Sequence, residues 1–108
     1  MSKKIEFDYE DKKYVLEYNR DAVKMIENQG FDINKFTEKP MIMLDLAFKG
    51  AFIKNHRNEK NAKVEEIYGK MGDKETLAKT LLEMIQETYD TLFAEEEDQT
   101  KNIGWKIV

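Results

Sequence analysis

Cysteine is absent from the 108 residues, and histidine, tryptophan, proline and serine occur once each. The first absence excludes disulfides, thiolate nucleophiles and sulfur metal sites together, and it suits a reducing compartment. The lone histidine, His56, lies in a polar stretch with no serine nearby, so no nucleophile and base stand together. Zinc-type sites need several His or Cys ligands at set spacing, which one histidine with scattered carboxylates does not supply. Gly50, Gly69, Gly72 and Gly104 fit no phosphate-cradling loop, because none follows a strand and opens a helix at the required spacing. Paired carboxylates such as Glu65 and Glu66 read as solvated helix faces. The expectation is a protein that is not an enzyme, with no catalytic residue, cofactor or metal.

Long apolar runs are missing too. The longest apolar stretch, Pro40 to Ile53, contains Asp45 and Lys49 and falls short of the roughly 20 residues that a membrane-spanning helix needs. Met-Ser-Lys-Lys leads straight into a strand pattern rather than an apolar signal segment, so a cytoplasmic protein with no membrane partner is expected. The formal charge of −4 comes from interspersed acids and bases, which makes no phosphate-tracking surface and argues against nucleic acid. The one basic cluster, Lys54, His56, Arg57, Lys60 and Lys63, is diluted by asparagines and Glu59 and reads as a solvated connection.

What is present begins with a period-two pattern. Ile5, Phe7 and Tyr9 alternate with Lys4, Glu6 and Asp8, and Tyr14, Leu16 and Tyr18 alternate with Lys13 and Glu17. The reading is a hairpin with strands near 4–9 and 13–18. With Asp11-Lys12 as the loop, Tyr9 faces Tyr14, Phe7 faces Leu16 and Ile5 faces Tyr18; a slipped four-residue loop is the alternative, since Asp-Lys lacks the glycine a primed turn prefers. A lone hairpin is marginal in water, so it must lie on the helices or join a sheet supplied by another chain.

Four helices are expected after it. Asn19 is placed to cap the first, from about Arg20 to Gln29, with Gly30 at the left-handed C′ position and Phe31 set to touch Ile26. Pro40 marks entry to the second, where Met41, Leu44, Phe48 and Phe52 form one stripe and Ile42, Leu46 and Ile53 another. Val64, Ile67, Tyr68 and Met71 form the stripe of the third, ended by Gly72. Asp73 caps the fourth, which runs through Leu77, Leu81, Met84, Ile85 and Leu92. Residues 1–94 therefore form one α+β domain, an N-terminal β-hairpin followed by a mainly α-helical part. Residues 95–108 form an acidic, mobile tail that carries Trp105. Met41, Leu44, Phe48, Phe52 and Trp105 are the candidate protein-binding residues, because the second helix carries more stripe than a small core consumes and tryptophan is enriched at binding hot spots. Trp105 folded back onto the domain is the plain alternative. Self-association through the hairpin edge or the second-helix face is also expected.

The order of features, a hairpin, then Leu16-Glu17-Tyr18-Asn19-Arg20-Asp21-Ala22-Val23-Lys24-Met25-Ile26-Glu27 into Gly30-Phe31-Asp32, an apolar helix, and the Lys63–Phe93 helix pair, resembles the tail assembly chaperones of long-tailed bacteriophages. The likeness is to small chaperone-like proteins of phages and prophages of Gram-positive hosts, and it covers about Ile5 to Phe93. It implies a non-enzymatic protein that engages the tape-measure protein before the tail tube polymerises and that contacts tail-tube subunits, in the cytoplasm of the bacterial host. A hairpin turn without glycine departs from that pattern. Two rival readings are a phage head-tail connector or completion protein, and a host-directed regulatory module that binds a protein through its helices.

Overall fold

A computed structural model describes residues 3–92 and 104–108. Strands β1 (Ile5–Tyr9) and β2 (Lys12–Leu16) form an antiparallel hairpin, followed by α1 (Arg20–Asn28), a 3₁₀ turn (Ile33–Lys35), α2 (Pro40–Gly50), α3 (Ile53–His56), α4 (Asn61–Lys70) and α5 (Lys74–Leu92). The chain is α+β as the pattern implied, with one short helix beyond the four expected. The expected acidic segment 95–98 lies outside the described residues.

The hairpin corrects the expected register. Ile5 pairs with Leu16, Phe7 with Tyr14 and Tyr9 with Lys12, so the two-residue loop is Glu10-Asp11 rather than Asp11-Lys12. Both loop residues have positive φ, 50° and 64°, as a type I′ turn demands. The two registers differ by two residues and keep the same side chains on the same face, so the apolar alternation alone does not separate them. Tyr18 lies beyond β2 and is buried separately, where its hydroxyl donates to the Ala47 carbonyl at 2.6 Å.

Local chemistry sets the helix ends. Asn19 Oδ1 accepts from the Ala22 N–H at 2.8 Å, which satisfies a donor the first turn leaves orphaned. At the other end of α1 the Phe31 N–H donates to Ile26 O at 2.9 Å and the Gly30 N–H to Glu27 O at 3.0 Å, with Gly30 at φ +108°. This is the Schellman pair of bonds, and the positive φ is the reason glycine stands there. Pro40 occupies the first turn of α2, where its missing N–H costs nothing. The Thr76 N–H donates to Asp73 Oδ1 at 3.2 Å and opens α5.

α2 stops at Gly50 instead of running on to Ile53, and the chain re-enters helix as α3 after Ala51 and Phe52. The core lies among α1, α2, α4 and α5, with Ile26, Phe48, Ile67, Leu81 and Ile85 fully buried and Leu16 reaching in from β2. Aromatic contacts tie the hairpin to it: Phe7 stacks on Tyr14 at 5.2 Å between centroids, Tyr14 meets Phe52 edge-on at 5.9 Å, and Phe52 meets Phe48 at 5.2 Å. Among the described residues, no helix is long and apolar enough to cross a membrane.

Candidate protein-binding surface

The five candidate residues separate sharply by burial. Phe48 is 1% exposed and Phe52 2%, so both belong to the core and are out of reach of a partner while the fold is closed. Met41, by contrast, is 85% exposed, and its neighbour Ile42, on the other stripe, is 57% exposed. Leu44 is half-buried at the margin of the core. The available apolar surface of α2 is therefore its first turn, Met41 and Ile42 with Leu44 beside them. Trp105 is 82% exposed, in a segment with no regular secondary structure. Met41 and Leu44 lie one turn apart on α2, and Trp105 belongs to a separate segment.

A second arrangement escaped the sequence reading. The basic stretch around His56 is largely exposed, as a solvated connection would be, but it also holds the fold together: α3 latches onto β2. The Val15 N–H donates to His56 Nε2 at 3.0 Å, Asn55 Nδ2 donates to the Val15 carbonyl at 3.0 Å and to Glu17 Oε2 at 2.9 Å, and Lys54 Nζ reaches Glu17 Oε1 at 3.1 Å. The Glu17 N–H donates to the Ala51 carbonyl at 3.2 Å. Glu17 is 8% exposed, and these partners are what make its burial tolerable. The Asn55 amide, with Lys54 behind it, holds its carboxyl below the usual carboxylate range. Tyr14 donates to Glu59, and burial first, then that bond, pushes its phenol up to about 12. Lys63 pairs with Glu10 at 2.6 Å and Glu66 at 3.5 Å, and Tyr9 donates to Glu66, which fixes the hairpin tip to α4. At the start of β1, Lys3 pairs with Glu83 of α5 at 2.8 Å. One signal was readable: acids at Glu10, Glu17 and Glu59 match the bases at Lys54 and Lys63, but nothing local says which pairs meet.

Beside the latch, Met25, Gln29, Ile53, His56, Arg57 and Asn61 help to line a cleft of about 240 Å³. Among the described residues, no group of three or more histidine or carboxylate side chains converges as a metal site would.

A family model described as a domain of unknown function, DUF5055, matches residues 1–108. The chain belongs to the DUF5055 family. No curated protein and no solved structure matches it.

The latch of this DUF5055 chain carries a pH dependence. His56 accepts a backbone N–H and must be neutral to do so; burial first, and the charge of Lys12 second, lower its pKa, against the opposing pull of Glu59. The folded state thus takes the proton less readily than the unfolded chain, whose histidine titrates near ~6.5. Stability is full above that value and falls as the pH drops through it towards the lower folded value. Because His56 is the single histidine, the melting temperature is expected to decline as the pH falls through that range, and His56→Gln to flatten that decline. Glu17 and Glu59, both depressed, act only in the carboxylate range below it. An unchanged slope in His56→Gln would show that His56 does not carry the decline.

Proposed function

We propose that the chain is a non-enzymatic tail assembly chaperone of a phage or prophage, which covers apolar stripes of the tape-measure protein, and contacts tail-tube subunits, in the bacterial cytoplasm before the tube forms. One observation carries the reading: α2 leaves Met41 and Ile42 open to solvent at its first turn while its later apolar residues, Ala47 and Phe48, close the core. Large apolar side chains side by side on a surface helix suit a reversible, helix-on-helix contact. Methionine, flexible and polarisable, adapts to more than one client shape. The residue pattern from Leu16 to Asp32 supports the same reading through its likeness to phage tail chaperones.

The test is co-purification with a fragment of a tape-measure protein encoded in the same genome. Met41→Gln with Ile42→Gln is expected to leave stability within about 0.5 kcal/mol per site, as surface changes do, while abolishing capture of the fragment. A variant that holds the fragment as tightly as the parent moves the client site elsewhere, to Trp105 first. Failure of the parent to bind, with a gene position away from the tail-tube and tape-measure genes, favours the connector or the host-directed module.

A further inference from the structure

The two outer edges of the hairpin are treated differently. Along β2, the Val15 N–H and C=O are taken by His56 and Asn55, and the Glu17 N–H by Ala51. These groups point away from β1, which makes Glu6 and Val15 a non-hydrogen-bonded pair of the ladder. The N–H and C=O of Glu6, and of Asp8 two residues on, therefore turn outward from the other side of the hairpin. Among the described residues nothing accepts from or donates to them, and Lys4, Glu6 and Asp8 are all exposed. One edge is latched under α3 and the other is an open strand five residues long.

We propose that this open edge of β1 pairs antiparallel with β1 of a second copy of the chain, joining two hairpins into one four-stranded sheet. The charge pattern selects the occupant and the register. With Ile5 on the two-fold axis, Lys4 lies opposite Glu6 of the second copy and Glu6 opposite its Lys4, so each facing pair is of opposite sign and exchanges both backbone hydrogen bonds. Ile5 meets Ile5 of the second copy on the apolar face. Centring on Phe7 sets Glu6 against Asp8 twice, and centring on Glu6 sets Glu6 against itself, although Lys4 then faces Asp8; of these, only the Ile5 register opposes no like charges across the strand. A strand edge that opposes no like charges at one register, and does so at the neighbouring ones, favours a defined pair over an open stack.

The position of Glu6 supplies a clean test, because its N–H is not used inside the hairpin. Proline is tolerated at an edge position of that kind and removes the donor the second copy needs. Light scattering coupled to gel filtration is expected to show a concentration-dependent dimer for the full chain at micromolar concentration. Glu6→Pro, with an unchanged far-UV spectrum, is expected to weaken that dimer about tenfold or more. Glu6→Lys sets lysine against lysine and is expected to weaken it too, while Lys4→Glu with Glu6→Lys restores it. A parent that stays monomeric at high micromolar concentration overturns the proposal. So does a folded Glu6→Pro that dimerises like the parent, or a dimer lost instead in Met41→Gln with Ile42→Gln; either result places self-association on another face.

Discussion

Phe48→Ala is expected to cost about 3–5 kcal/mol of unfolding free energy in urea denaturation, the range of a large aromatic truncated in a closed core. Phe48 is 1% exposed and stands at the centre of the aromatic chain, edge-on to Phe52 and to Tyr68, each at 5.2 Å. Its removal takes away the buried area and leaves a void between α2 and α4, and neither Phe52 nor Tyr68 is free to fill it, since Phe52 is held against Tyr14 and Tyr68 lies under Lys74. A small domain holds about 5–15 kcal/mol in all, so the variant would lose a large part of its stability. The melting temperature is expected to drop by more than about 10 °C. Met41→Ala, about two helix turns away on the same stripe, is expected to change little. A loss below about 1 kcal/mol at Phe48 would mean that α2 and α4 do not close a packed core between them.

That contrast between two residues of one stripe marks how far the sequence could be read. Asn19, Gly30 with Phe31, Pro40 and Asp73 each act on backbone groups within a few residues, and all four places are where the structure puts a helix end. Surplus apolar surface on the second helix was legible as a quantity, but not its position, because Met41 and Phe48 sit on the same face and differ only in what lies opposite. The hairpin register turned on Glu10 and Asp11 accepting positive φ without glycine, which propensity argues against, while Phe7 stacks on Tyr14. Farthest from view was the latch. His56 finds the Val15 backbone across 41 residues and Asn55 the Glu17 carboxylate across 38, and a polar, basic stretch gives no hint of such distant partners. The asymmetry of the hairpin edges, on which self-pairing depends, rests on that latch.

The latch in turn depends on a glycine. A Cβ at Gly50 would lie 2.6 Å from Ile26 Cγ2 and 3.3 Å from Ile26 Cδ1, with Tyr18 Cε1 at 3.6 Å, so the last turn of α2 approaches α1 more closely than any side chain permits. Ile26 is 1% exposed, so its branched side chain has to shift within the interior to admit that atom. Gly50→Ala sets two effects against each other. Alanine gains about 1 kcal/mol in helix propensity, and overpacking costs about 1–3 kcal/mol, so a net loss of up to about 2 kcal/mol is expected. Ile26→Ala alone costs about 2–5 kcal/mol by leaving a cavity. When the two changes are combined, the methyl introduced by Gly50→Ala enters the space that Ile26 vacates. The double variant is expected to recover about 1 kcal/mol or more relative to the sum of the singles, a coupling of the size neighbours in contact show. Because Ala51 follows directly and accepts the Glu17 N–H, Gly50→Ala is also expected to loosen α3 from β2, seen as faster hydrogen exchange at the Val15 and Glu17 amides. Strict additivity in the cycle would place the strain outside the Gly50–Ile26 contact. Unchanged exchange at Val15 would separate the latch from the seating of α2.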